Sequence, residues 1–183
     1  MSPDPSRNGG AGGKRELAAM MSAVIEHALW VLPRIPASAG ALIFDGAGRL
    51  LILNPTYKRH WTVPGGQIEE SGETPWEACR RETREECGLE LERGRLACVD
   101  FLRPKSGGRE GGVRFLFDCG ALDDAQLATI ALQAEEISEH RLEPLEEACR
   151  LLSAPIRRRV QAVVSADRCV YLEDGRPPAS IRP

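Results

Sequence analysis

Apolar residues recur along this chain with two different periods, and the period predicts the element. Leu17, Met21, Val24, Ile25, Ala28, Leu29 and Leu32 are spaced by threes and fours, which gives a helix one apolar face. Pro33 and Pro36 end it, since proline cannot continue a helix. Ala39 to Leu53 predicts a hairpin: AGALIF and RLLIL are strand-like, and DGAG between them supplies turn residues. Gly94 to Leu102 and Gly112 to Cys119 predict two more strands. In the second, Val113, Phe115, Phe117 and Cys119 face one side while Arg114, Leu116 and Asp118 face the other. The segment RPKSGGREGG between them reads as a polar loop. Residues 121 to 134 fit a loop or a short helix, and Ile137 to Leu142 fits one more strand. PLEEACRLL and PIRRRVQAVVSA read as helices with Leu145, Ala148, Leu152, Ile156, Val160 and Val163 inward. Strands on both sides of a central helix, with further helix late in the chain, predict a compact α/β sandwich with a mixed sheet.

Composition narrows the function classes. With 183 residues, 42% hydrophobic and 28% charged, the chain fits one globular domain with a core and a short appended element. Its formal net charge of -3 argues against a nucleic-acid polymer or an anionic membrane as partner, because either calls for a basic excess. The cysteines at 79, 87, 98, 119, 149 and 169 include no C-x-x-C pair, and most sit in apolar runs such as LACVDF. They read as small buried hydrophobes in a reducing cytoplasm rather than zinc ligands. Leu17 to Leu32, the longest apolar stretch, is interrupted by Glu26 and His27, which counts against a membrane span or a signal peptide. Residues 1–13, MSPDPSRNGGAGG, are expected to form a disordered tail.

The chemistry concentrates in GGQIEESGETPWEACRRETREECGL, residues 65–89. Thr74 suits a helix N-cap, Pro75 the first helical position, and Glu77 completes a Thr-x-x-Glu capping box. Gly88 is a natural stop. The helix is therefore expected from Pro75 to Cys87, roughly 20 Å at about 1.5 Å per residue. Trp76, Cys79, Thr83 and Cys87 fall on its core-facing stripe, and Glu82, Glu85 and Glu86 lie together about a quarter-turn away. Ala78, one turn before Glu82, is expected to leave space in front of the carboxylates. Like charges at i and i+4 cost a helix a few tenths of a kcal/mol. A solvated Arg/Glu face is the simpler reading of RRETREE taken alone. The paired glycine, the acids Glu69, Glu70 and Glu73, and the capped start favour a divalent-cation site, because hard oxygen ligands on a rigid helix suit Mg²⁺.

This segment resembles the Nudix box, whose pattern is Gly, five residues, Glu, seven residues, Arg-Glu, an apolar residue, any residue, Glu-Glu, any residue, Gly, apolar. Glu73, Arg81-Glu82, Glu85-Glu86, Gly88 and Leu89 match in order and spacing. Two departures occur: six residues rather than five separate Gly66 from Glu73, and Thr83 stands where an apolar residue is usual. The resemblance covers about residues 37 to 165, and it includes WTVPGG before the box and EEISEHRLEPLEEA after it. It implies a Nudix-type α/β/α sandwich with a mixed sheet, plus the amino-terminal helix. The implied organisation is tail 1–13, helix and linker 14–36, Nudix domain 37–165 and carboxy-terminal extension 166–183.

The resemblance also implies Mg²⁺-dependent hydrolysis of a diphosphate linkage in a nucleoside diphosphate derivative, with Mn²⁺ as a substitute cation. Glu82, Glu85 and Glu86, helped by the carbonyl of Gly65 or Gly66, are the expected metal ligands, and Arg81 is expected to orient them by pairing with Glu73 or Glu85. Glu82 and, further along, Glu135, Glu136 and Glu139 are candidate general bases. Tyr57, His60, Trp61, Arg103, Lys105, Arg109 and Glu136 are candidate substrate contacts, with a core role the stronger reading for Trp61. Dimers are common in the family, so a homodimer is an open alternative to a monomer. A Nudix-fold module that senses a nucleotide without turnover is the competing functional class.

Overall fold

The computed structural model of the chain describes residues 15–22, 34–70, 72–104 and 111–181. The chain divides into two units, residues 1–34 and Ile35–Pro183. In the first, residues 15–22 form a helix, α1, with Leu17, Met20 and Met21 exposed. The rest of the apolar stripe expected there, from Val24 to Leu32, lies outside the described residues, as do the expected tail and the loop positions Lys105 and Arg109.

The second unit is built on a seven-stranded sheet of β1 (Ala37–Phe44), β2 (Leu50–Pro55), β3 (Gly65–Gln67), β4 (Arg95–Leu102), β5 (Gly112–Ala121), β6 (Ile137–Glu143) and β7 (Val170–Glu173). The strand order is β6-β2-β1-β5-β4-β7, with β3 pairing β1 off that path. The pairs β1–β5 and β4–β7 are parallel and the others antiparallel, so the sheet is mixed as expected. The two-residue period sorts side chains into two cores. Ala39, Ala41 and Ile43 of β1 and Leu51 and Leu53 of β2 pack with Ala78, Cys79 and Cys87 of helix α2 (Pro75–Cys87). Leu42, Leu50 and Ile52 point the other way, toward Ala148 and Cys149 of α4 (Leu145–Leu151) and Val160 and Val163 of α5 (Ala154–Val164). Each fully buried leucine in these layers contributes about 1.5–3 kcal/mol relative to exposure. The result is the α/β/α sandwich.

Local chemistry fixes the joints. In the hairpin turn Asp45 accepts the backbone N–H groups of Ala47 (3.0 Å) and Arg49 (2.8 Å) and the Arg49 Nε (2.6 Å), and these bonds hold its carboxyl below the usual range. The ambiguous stretch after β5 contains one short helix, α3 (Asp124–Leu127). Of the cysteines, five are buried and free, but Cys169, just before the edge strand β7, is exposed. The carboxy-terminal extension supplies that strand, pairing Val170 to Glu173 with Cys98 to Phe101 of β4.

Candidate active site

Helix α2 begins and ends where its caps dictate. Thr74 accepts from Glu77 N (3.2 Å) while the Glu77 carboxylate accepts from Thr74 N (2.8 Å). Gly88 closes the helix at φ 72°, its N–H donating to the Arg84 carbonyl. The chain leaves the helix through this left-handed conformation, which glycine enters without a Cβ penalty. Cys79, Thr83 and Cys87 face the core as the stripe required, and the Trp76 ring packs 5.1 Å from Phe117. Ala78 is fully buried in the same core. The space in front of the acids comes instead from Gly66 on β3: a Cβ there would stand 2.3 Å from the Glu82 carboxylate carbon.

The three expected ligands sit at graded depth. Glu86 is 4% exposed and accepts the Gly65 N–H at 2.7 Å; burial pushes its carboxyl up to about 7, against the pull of that hydrogen bond. Glu82 is also raised, chiefly by burial. Glu85 is about half exposed. The negative charge of Glu136 bears on both Glu82 and Glu86 and raises them further.

Arg81 ties the group together. Its Nε and Nη2 grip the two Glu73 oxygens (2.8 and 3.1 Å), Nη2 also reaches the Gln67 carbonyl (2.9 Å), and Nη1 reaches Glu82 (2.9 Å) and Glu85 (3.0 Å). The planar fork of arginine is what allows one side chain to meet four acceptor groups. These pairings raise the guanidinium, Glu73 above all, and hold Glu73 below its usual range. The residue inserted before the helix falls in the turn ahead of Glu73. There Glu69 N donates to the Glu73 carboxylate, so the extra length is absorbed upstream of α2.

Among the described residues no three acidic, histidine or cysteine side chains converge as a preformed ion site, because Arg81 holds Glu82 and Glu85 while Glu86 turns to Gly65. The donor set nevertheless suits a hard divalent cation. All are oxygens on one rigid helix, one carboxylate is buried and a second partly buried so that desolvation disfavours their charge, and the missing Cβ of Gly66 keeps a cradle open against Glu82.

The other sequence candidates are dispersed. Glu139 lies on β6 opposite Asn54 and pairs with Arg141 at 2.8 Å. Arg141 in turn stacks 4.7 Å over the ring of Trp61, which is buried in the second core. Thr56 fastens the β2 end to the carbonyls of Glu135 and Glu136. Tyr57 and His60 are exposed. Arg103 pairs with Glu173 where β4 meets β7, at the opposite edge of the sheet from β6. Residue reasoning passed over Arg114, Asp100 and Arg159, which meet on the α5 side of the sheet. The alternation in β5 carried the signal, since it set Arg114 on the same side as the buried Leu116.

A NUDIX domain model matches residues 34–163. No curated protein matches the chain. Among solved structures, a MutT protein from Methanosarcina mazei Go1 is 24% identical, with a TM-score of 0.61 over 73% of this chain and 96% of its own. A Caenorhabditis elegans (C. elegans) Ap4A hydrolase in a binary complex is 24% identical, with a TM-score of 0.58 over 72% and 96%. A UDP-X diphosphatase is 20% identical, with a TM-score of 0.58 over 94% and 89%. At such identities the structures speak for the fold, and the domain model, spanning most of the chain, speaks for descent. The chain belongs to the Nudix family.

Proposed function

We propose that the protein hydrolyses a diphosphate linkage in a nucleoside diphosphate derivative, with Mg²⁺ (or Mn²⁺) held by Glu82, Glu85, Glu86 and the Gly66 carbonyl. The observation that carries this reading is the buried Glu86 and the partly buried Glu82, set against the glycine strand β3 with their charged forms disfavoured by desolvation. A divalent cation relieves that cost. When bound, such a cation neutralises charge on a diphosphate and lowers the pKa of an attacking water.

The chain's own groups supply the positioning. Gly65 N fixes one Glu86 oxygen, and Arg81 fixes Glu82 and Glu85 from the Glu73 side. Fixed placement of this kind supplies much of a phosphoryl-transfer enzyme's acceleration. Glu82 and Glu136, whose charges both bear on the buried Glu86, are the candidates for general base, Glu82 once Arg81 releases it. Glu139 serves only after leaving Arg141. The solved relatives whose names cite Ap4A and UDP-X support the nucleotide class without selecting a member of it.

The test is product release from a panel of nucleoside triphosphates, dinucleotides, ADP-ribose and nucleotide sugars, with and without Mg²⁺. Turnover that requires the cation, and that falls at least about a hundredfold in Glu86→Gln and Glu85→Gln with the fold retained, is the expected result. Full activity in both variants would overturn the ligand assignment. Tight nucleotide binding with no turnover across the panel would identify a sensor instead.

A further inference from the structure

On the α5 side of the sheet, a cavity of about 90 Å³ is lined by Ser38, Thr62, Gly65, Gly66, Arg114 and Arg159, among others. Its walls carry two guanidinium groups. Arg159, only 11% exposed, donates its Nε to Asp100 at 2.6 Å. The second Asp100 oxygen is taken by Gly175 N at 2.9 Å, so this fully buried carboxylate is spent. The terminal amino groups of Arg159 have no acceptor among the described residues.

Arg114 has no carboxylate within ion-pair distance among those residues; its recorded partners are the carbonyls of Pro36 (3.4 Å) and of its own neighbour Val113 (3.2 Å). Burial and the like charge of Arg159 both bear against its guanidinium. Two cations with a single carboxylate, Asp100, bearing on both leave this part of the molecule one positive charge in excess. Desolvated charge in that position is costly unless an anion joins it.

The cavity also shares a wall with the acids of α2. Gly65 and Gly66 line it, Gly65 N holds Glu86, and the Gly66 Cβ position abuts Glu82. The cavity and the carboxylates therefore share the two β3 glycines as a common border. The cavity volume leaves room for a group of the size of a phosphate or carboxylate.

We propose that Arg114 and Arg159 form an oxyanion subsite that selects substrates carrying a phosphate or carboxylate apart from the linkage being cut. This rests on the hydrolase reading for its substrate, but not for its binding measurement. The test compares two ligand pairs: UDP-glucuronate against UDP-glucose, and ADP-ribose 2′-phosphate against ADP-ribose. Affinity is followed by calorimetry and turnover by product release.

The wild-type protein should bind the more anionic member of at least one pair about tenfold tighter or more, the scale of one charge-assisted hydrogen bond. Arg114→Gln should erase that preference while leaving the less anionic member within about twofold. Arg159→Lys keeps a charge opposite Asp100, so it should fold and yet weaken the same preference. An unchanged ratio in Arg114→Gln, or no binding of any of the four, overturns the inference. Inorganic phosphate binding that is lost in Arg114→Gln, with both pairs indifferent to the change, would make the anion a free effector and overturn its assignment to substrate. Binding preference without turnover would leave the subsite standing and sink the hydrolase reading alone.

Discussion

At residue scale, Gly66 does what no other residue type can do in its place. The carboxylate of Glu82 occupies the volume of the side chain that Gly66 lacks, at 2.3–2.4 Å from the built Cβ. A methyl group there must displace a partly buried acid held by Arg81 rather than the end of a free side chain. We predict that Gly66→Ala lowers turnover about a hundredfold and weakens Mg²⁺ binding measured by calorimetry, with the thermal midpoint little changed. Retention of normal metal affinity would show that Glu82 keeps its working position without the glycine. Arg81 makes a complementary point. Lysine offers a compact charge in place of a fork, so Arg81→Lys should keep one of the contacts to Glu73, Glu82, Glu85 and Gln67 and lose the others. Turnover should fall at least tenfold, whereas an unchanged rate would reduce Arg81 to a bystander. The spacing of Arg81 and its acids was legible along the chain. Their graded burial was not, because depth depends on β3, a three-residue strand with almost no pattern of its own.

At the scale of elements, legibility followed the range of the interactions that make each element. Helix α2 was readable to the residue because its caps lie within it: Thr74, Pro75, Glu77 and Gly88 carry their own reasons. Strands β1, β4 and β5 were readable because alternation is local. Strand β7 was hidden, since four residues hold their place by parallel pairing with β4 across some seventy positions of chain. The capping box allows a quantitative check. Thr74→Ala removes the acceptor for Glu77 N and the hydroxyl that donates to the Glu77 carboxylate at 2.7 Å. This should cost about 1 kcal/mol, equivalent to roughly 2–4 °C in thermal midpoint for a chain of this size. Turnover per folded molecule should remain normal, because Arg81 and the three acids lie about two turns or more beyond the cap. A midpoint that did not move would mean that packing against the sheet, rather than the cap, sets the start of α2.

At the scale of the whole second unit, one buried ion pair joins parts of the chain that no local pattern connects. Asp100 on β4 is fully buried, takes Arg159 from α5 through one oxygen and the Gly175 N–H after β7 through the other. Sheet, helix and carboxy-terminal strand thus meet at one carboxylate. Asp100→Asn preserves the oxygen for Gly175 but removes the charge opposite Arg159, which then stays buried beside Arg114 with nothing to offset either. Breaking one half of a buried pair costs about 3–5 kcal/mol, and urea denaturation should show a loss of that order. The pair itself contributes less than this figure suggests, because most of it is the penalty for the stranded cation. The double variant Asp100→Asn/Arg159→Met should therefore recover a good part of the loss, since methionine fills similar volume without charge. If the double variant were as unstable as the single one, the hydrogen bond to Gly175 and the docking of β7, rather than the charge on Arg159, would be what Asp100 holds in place.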